Sequence, residues 1–75
     1  MNSKSKVTQK DYKLGRHLQK IRKSKKITQE QLAEKIGTSQ TWIAYIETGR
    51  YTPNLKMFEK IAKVLGVQVK DLIPF

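Results

Sequence analysis

The sequence contains no cysteine, one histidine and no long apolar run. Without cysteine, neither a disulfide framework nor a Cys/His zinc cluster can form, so ordinary packing must stabilise the fold. Crossing a bilayer takes about 20 consecutive apolar residues, and neither such a segment nor a secretory signal is present. These absences predict a cytoplasmic protein that has no membrane partner, binds no metal and needs no cofactor.

Acidic residues are also scarce. Six Asp and Glu stand against 16 Lys and Arg, which gives a net charge of +10. Residues 1–26 hold ten of the basic side chains and one acid, Asp11, and therefore carry +9 of that charge. A lysine-rich segment can simply form a solvent-exposed face. The more specific interpretation is that it binds a polyanion, either nucleic acid or an anionic membrane. Charge alone leaves both open.

The length of 75 residues limits the chain to one hydrophobic core. Residues 1–10 are rich in Ser, Lys and Asn and have little to bury, so we expect a flexible basic N-terminal arm there. Residues 11–75 are expected to form a single domain. Apolar residues recur at helical spacing, and this pattern predicts a first helix from about Asp11 to Ser24.

Capping signals divide the rest of the domain into further helices. Thr28 and Gln31 form a capping box for a second helix that ends at Gly37. Ser39 caps a third helix over residues 40–48, and Asn54 caps a fourth. A short fifth helix is expected before Pro74. No segment alternates long enough to predict a strand, so the expected fold is all-α and compact, with four to five helices.

The second and third helices have the spacing of a helix-turn-helix. Ala33 lies where a steep helix crossing leaves room for little more than a methyl group, and Gly37 supplies the turn. Ile43 and Ile46 point back into the core. These four positions are predicted to be structural, although a generic helical hairpin shows similar offsets.

The sequence resembles the Cro/C1-type, or XRE-type, helix-turn-helix domain over about residues 14–73. The resemblance implies a five-helix, lambda-repressor-like domain that inserts its third helix into the major groove, commonly as a dimer on a two-fold symmetric operator. It also implies a structural ion pair between Arg22 and Glu47 that ties the first helix to the third. The matching positions are residues 27–40, 43, 47–50, 53 and 61–67.

One outward stripe of the third helix is predicted to contact bases. A nine-residue helix is about 13.5 Å long, close to the roughly 12 Å width of the major groove. Gln40 can pair with adenine, and Ala44 offers an apolar surface to a thymine methyl group. Ordinary helix surface is the alternative explanation. The predicted base contacts are Gln40, Thr41, Ala44 and Tyr45.

Groups flanking the groove are predicted to contact phosphates. They lie at the start of the second helix, along the third helix and in the loop that follows it. Trp42 is ambiguous because it can also pack against that loop. The predicted phosphate contacts are Thr28, Gln29, Ser39, Trp42, Thr48, Arg50 and Tyr51.

These residues predict a sequence-specific regulator of transcription that binds double-stranded DNA, with repression as the default mode. A protein-interaction module or an antitoxin-like domain with the same fold is the alternative. The chain shows no catalytic triad, paired carboxylates or glycine-rich phosphate loop, so no catalysis is predicted. The sequence offers no second His and no Cys to help His17 bind a metal, so His17 is assigned to the surface.

A homodimer seam is expected to use the C-terminal region, because the sequence offers no separate oligomerisation domain. The same residues can instead complete the core of the monomer, and the sequence leaves the two possibilities open. The seam residues are Val69, Leu72, Ile73 and Phe75.

Overall fold

The computed structural model describes residues 8–75 and contains no strand among them. The predicted all-α fold is confirmed, with one difference: the fifth helix is a single turn of 3-10 helix. None of the helices in this part of the chain is long and apolar enough to cross a bilayer. The elements are α1 Gln9–Ser24, α2 Gln29–Ile36, α3 Gln40–Glu47, α4 Leu55–Leu65 and the 3-10 helix Val69–Leu72.

The first helix begins two residues before its predicted start at Asp11. The Asp11 amide donates to the Thr8 hydroxyl at 3.0 Å, and the Thr8 amide donates to the Asp11 carboxylate at 3.4 Å. This capping box fixes the first turn. Gln9 and Lys10, which were assigned to the flexible arm, therefore belong to α1. The rest of the predicted arm, residues 1–7, lies outside the described residues.

Three helices end in a similar way, with a glycine of positive φ that is the C-cap itself in α2 and α4 and the residue after the C-cap in α3. The amide after each glycine donates to the carbonyl five residues earlier, which is the Schellman arrangement. A left-handed backbone at this position costs glycine little because it has no Cβ. The three glycines are Gly37, Gly49 and Gly66, with φ of 80°, 84° and 72°, and the three hydrogen bonds are Thr38 to Ala33, Arg50 to Tyr45 and Val67 to Ala62.

The core is a single apolar cluster to which all five elements contribute. It includes Leu72, whose exposed fraction is 0%. Leu72 therefore completes the core of the monomer, and its assignment to a dimer seam is wrong. Val69 is half-buried and packs against the same cluster, whereas Ile73 and Phe75 are exposed.

The contact between α1 and α3 depends on a buried glycine in the middle of α1. A Cβ at Gly15 would lie 2.6 Å from the carbonyl oxygen of Glu47 and closer still to that of Ile46. Only a residue without a side chain lets the helix approach the α3 backbone this closely. Gly15 thus sets the distance between α1 and the C-terminal end of α3.

His17 joins α1 to the 3-10 helix. Its Nε2 lies 2.8 Å from the carbonyl oxygen of Asp71, and the residue is half-buried. His17 thus stays partly exposed, as its assignment to the surface expects, but its ring also forms a contact between two elements. The imidazole links two residues that are 54 positions apart in the chain.

Candidate nucleic-acid interface

The helix-turn-helix positions lie where their spacing predicts. Ala33 is 3% exposed and faces the core beneath α3. Ile43 and Ile46 are buried, and Gly37 turns the chain with a left-handed backbone. α3 contains eight residues, because Thr48 is its cap, and is therefore about 12 Å long.

The face of α3 opposite its buried residues is open to solvent. Gln40 and Thr41 are exposed, while Ala44 and Tyr45 are half-buried. No other described element covers Gln40 and Thr41. The four residues predicted to contact bases therefore form one accessible stripe along the helix.

The C-terminal end of α3 is fixed by a buried ion pair. Arg22 Nε donates to Glu47 Oε2 at 2.6 Å, and Arg22 Nη2 donates to Glu47 Oε1 at 3.1 Å. The third donor, Nη1, reaches the carbonyl of Ile27 at 2.7 Å. The two side chains are 7% and 1% exposed. Since a bidentate pair fixes orientation as well as distance, Arg22 determines how α3 sits on α1.

A chain of hydrogen bonds runs from this ion pair to the outer face of α3. Glu47 Oε1 also accepts from Gln29 Nε2 at 2.9 Å and from Gln19 at 3.3 Å. Gln29 Oε1 in turn accepts from Gln40 Nε2 at 3.4 Å. Gln29, predicted to contact phosphate, therefore has two internal partners and keeps one amide proton for an external acceptor.

The three hydroxyl groups predicted to contact phosphate differ in whether they have a proton left to donate. Thr28 and Ser39 accept from the amides of Gln31 and Trp42 as helix caps, so each still has a proton to donate. Thr48 instead donates its proton to the carbonyl of Ala44 at 2.9 Å. In this rotamer Thr48 has no hydroxyl proton for a phosphate.

Trp42 packs against the core from the side of α3. Together with the loop between α3 and α4 it lines an open cavity of about 280 Å³. This is the packing role that the sequence left open for Trp42. The other residues around the cavity are Tyr51, Thr52, Pro53, Asn54 and Met57.

An aromatic and cationic cluster forms at the end of α3. The Arg50 guanidinium lies over the Tyr45 ring, 5.1 Å from its centroid. The Tyr51 ring meets the Tyr45 ring edge to face, with centroids 5.4 Å apart. Sequence reasoning named these residues separately and missed the cluster. The available signal was the five-residue separation of Tyr45 and Arg50 across Gly49, since a Schellman turn brings these positions together.

The loop after α3 is tied to the start of α1. Thr52 Oγ1 donates to Asp11 Oδ1 at 3.0 Å. Hydrogen bonding with Thr8 first, and then with Thr52, stabilises the charged carboxylate and lowers the pKa of Asp11. The capping carboxylate of α1 thereby also anchors the loop that carries Arg50 and Tyr51.

Within residues 8–75, no three His, Cys, Asp or Glu side chains lie close enough together to hold a metal ion. The groups proposed for DNA contact on α3 and its flanks are amides, hydroxyls and one guanidinium, which are groups that bind base edges and phosphates.

Comparison with known proteins identifies the family. The helix-turn-helix family profile matches residues 18–72, which is most of the chain. The chain belongs to the Cro/C1-type helix-turn-helix family. The resemblance noted in the sequence is thereby confirmed.

Two relatives of this helix-turn-helix protein are regulators by name. The immunity repressor protein of Bacillus phage phi105 is 43% identical over 60 residues, which cover 80% of this chain and 42% of the repressor. The control protein C.BamHI of Bacillus amyloliquefaciens is 44% identical over 62 residues, covering 81% of this chain and 76% of the control protein. The chain thus spans less than half of the phage repressor.

Solved structures show the same fold. The restriction-modification controller protein C.AhdI from Aeromonas hydrophila superposes with a TM-score of 0.79 at 27% identity, covering 83% of this chain and 94% of that chain. Hydroxypropylphosphonic acid epoxidase from S. wedmorenis gives a TM-score of 0.82 at 26% identity, but the match covers only 36% of that enzyme. The helix-turn-helix fold therefore also occurs as part of an enzyme, and function must be argued from the site.

Proposed function

We propose that this helix-turn-helix protein is a sequence-specific, double-stranded DNA-binding regulator that acts in the cytoplasm, with repression as its default mode. The observation that carries the proposal is the accessible polar stripe of α3, whose opposite face is buried and fixed by Arg22 and Glu47. The family and the named regulators among its relatives support it.

Base contacts are proposed for the exposed part of the stripe. The Gln40 amide can donate to adenine N7 and accept from adenine N6, and Gln29 is placed to orient that amide. Thr41 lies beside Gln40, and Ala44 presents a methyl group one turn later. Tyr45 is half-buried at the C-terminal end of the stripe, beside Arg50, and lies outside this exposed part.

Phosphate contacts are proposed on both flanks of α3. Thr28 and Ser39 keep a free hydroxyl proton at the N-termini of α2 and α3, where the helix dipoles also favour an anion. Arg50 and Tyr51 are exposed on the loop beyond α3. These contacts would set the register of the protein on the duplex, while the stripe reads its sequence.

A selection of duplexes from a random pool tests the proposal. The wild-type protein is expected to enrich one sequence class and to bind it more tightly than a scrambled duplex. Gln40→Ala is expected to reduce the preference at one base pair by about 1–3 kcal/mol, the range for a good bidentate contact. Gln9→Ala removes an exposed glutamine from the start of α1 and is the matched control.

Two outcomes would contradict the proposed reading surface. One is a wild-type protein that enriches no sequence. The other is a Gln40→Ala variant that selects the same sequences with unchanged preference. Circular dichroism of both variants shows whether a loss arises from unfolding.

A homodimer on a two-fold symmetric operator belongs to the same proposal. Ile73 and Phe75 are exposed apolar side chains at the end of the described fold, and a pair of copies would bury them. Two copies would also provide the interface area that specific DNA binding usually needs. Sedimentation equilibrium of the wild-type protein and of the Ile73→Asp variant tests the seam, with dissociation expected only for the variant.

A protein-interaction module is the second candidate. Multiprotein-bridging factor 1 of Candida albicans is 35% identical over 60 residues, which cover 80% of this chain and 40% of that protein. This relative gives the alternative a specific basis. Stable capture of a protein partner through α3, without salt-dependent duplex binding, would favour it over the DNA-binding proposal.

A further inference from the structure

The end of α3 differs from the other two helix ends that share its geometry. In each Schellman turn the residue after the glycine faces the residue five positions earlier. At α2 and α4 these pairs are small or apolar, Thr38 with Ala33 and Val67 with Ala62. At α3 the pair is Arg50 with Tyr45, and the guanidinium covers the ring.

The backbone holds this pair together without help from either side chain. The Arg50 amide donates to the Tyr45 carbonyl at 2.8 Å, and the Tyr51 amide donates to the same carbonyl at 3.3 Å. Gly49 between them is buried and has a φ of 84°. The turn therefore brings both Arg50 and Tyr51 next to the Tyr45 ring.

The contact with the Tyr45 ring uses none of the hydrogen-bond donors of Arg50. A guanidinium is held over an aromatic ring by its charge, and its N–H groups remain available to acceptors. Among residues 8–75, no carboxylate forms an ion pair with Arg50, and the residue is exposed. The ring thus fixes the position of the guanidinium and leaves its hydrogen-bonding edge open to an acceptor.

We propose that Tyr45 is a positioning residue: its ring holds the Arg50 guanidinium ready for a DNA phosphate, and its hydroxyl does not read a base edge. This inference rests on the proposed DNA-binding function. The Tyr45 ring already has Arg50 and Tyr51 as neighbours, so turning it into the groove would break both contacts. Tyr45 then contributes affinity for any duplex, and selectivity comes from the N-terminal part of the stripe.

The test compares variants of the full chain on a duplex selected by the wild-type protein and on a scrambled duplex. Tyr45→Leu is expected to weaken binding to both duplexes by about two- to fivefold, the range of an exposed cation–π contact. Tyr45→Phe keeps the ring and is expected to bind both like the wild type. Tyr45→Leu combined with Arg50→Ala is expected to bind no more weakly than Arg50→Ala alone.

Salt dependence and a measurement without DNA complete the test. Between about 50 and 200 mM KCl, Arg50→Ala is expected to reduce the slope of log affinity against log salt by about one phosphate contact. In NMR spectra of the free protein, the Arg50 side-chain protons are expected to show a ring-current shift. That shift should persist in Tyr45→Phe and vanish in Tyr45→Leu. Tyr12→Leu removes the similar contact with Arg16 on α1 and is the matched control.

The outcomes separate this inference from the function on which it rests. A wild-type protein that prefers neither duplex would overturn the proposed function. If the wild type does show a preference, a change in that preference in Tyr45→Leu would overturn the inference alone. A Tyr45→Phe variant as weak as Tyr45→Leu would also overturn it, because the hydroxyl would then be the contact.

Discussion

The Arg22 guanidinium binds both carboxylate oxygens of Glu47, which joins the C-terminal half of α1 to the last residue of α3. Glu47 is 3% exposed, so its charge is separated from bulk water and depends on protein donors. The pair lies directly behind the surface proposed to meet DNA. Its integrity therefore affects both folding and the orientation of α3.

Removing one member of this pair is expected to be costly. Arg22→Met should lower the free energy of unfolding by about 3–5 kcal/mol, because the Glu47 carboxylate stays buried without its main partner. Replacing both residues with apolar side chains should cost less than the sum of the single changes. Urea unfolding checks the three variants against Lys23→Met, which removes an exposed neighbouring charge. A loss of about 1 kcal/mol or less in Arg22→Met would contradict the buried role of the pair.

Gly15→Ala is expected to destabilise the protein, against the usual trend for helices. In an unobstructed helix interior this change stabilises by about 0.5–1 kcal/mol. Here the added methyl group would collide with the carbonyls of Ile46 and Glu47, and we expect a loss of about 1–3 kcal/mol. Thermal unfolding of Gly15→Ala and of the exposed control Lys13→Ala shows whether the change at Gly15 stabilises or destabilises the protein. Increased stability in Gly15→Ala would show that α1 and α3 do not approach this closely.

Lys26 adopts a left-handed backbone with φ of 60° in the turn before α2. Such a backbone strains a residue that has a Cβ, while glycine adopts it freely. Lys26→Gly is therefore expected to raise the free energy of unfolding by about 0.5–1 kcal/mol, net of the greater freedom of glycine in the unfolded chain. Lys25→Gly removes the same charge at a residue with φ of −90° and should show no gain. Equal effects in the two variants would point to charge and not to backbone strain.

Asp11 is expected to make the free energy of unfolding depend on pH in the acidic range. Hydrogen bonds from Thr8 and Thr52 lower its pKa in the folded state, so the ionised carboxylate stabilises the fold above the unfolded pKa. That contribution should disappear as the pH falls from about 4 through the folded pKa. Thr52→Val should raise the pKa of Asp11 in an NMR titration. Thr48→Val is the control, since the Thr48 hydroxyl bonds to Ala44 and Tyr45 and not to Asp11.

The local features of the fold could be predicted because they depend on residues close together in sequence. Thr28, Ser39 and Asn54 cap the helices that their spacing indicated. Gly37 and Gly66 end two of them with left-handed backbones. The start of α1 was missed because Thr8 and Asp11 lie in a lysine-rich segment whose composition suggested disorder.

The contacts that could not be predicted join distant parts of the chain. Gly15 looks like a weak point in an isolated helix, and its role depends on carbonyls about 30 residues later. Leu72 fitted a seam or a core equally well until its burial distinguished them. The link from Gln29 to Glu47 likewise depends on how α2 and α3 cross. Family resemblance supplied the one distant contact that was expected, the ion pair of Arg22 and Glu47.

The close contact at Gly15 has a consequence for how this protein would accommodate an imperfect binding site. With the backbone of α3 in contact with α1 at one end and capped by Ser39 at the other, the helix has little room to tilt or slide. A mismatched duplex would then have to bend or change its groove width to fit the protein. Discrimination between similar operators would depend in part on the flexibility of base steps that the side chains never touch.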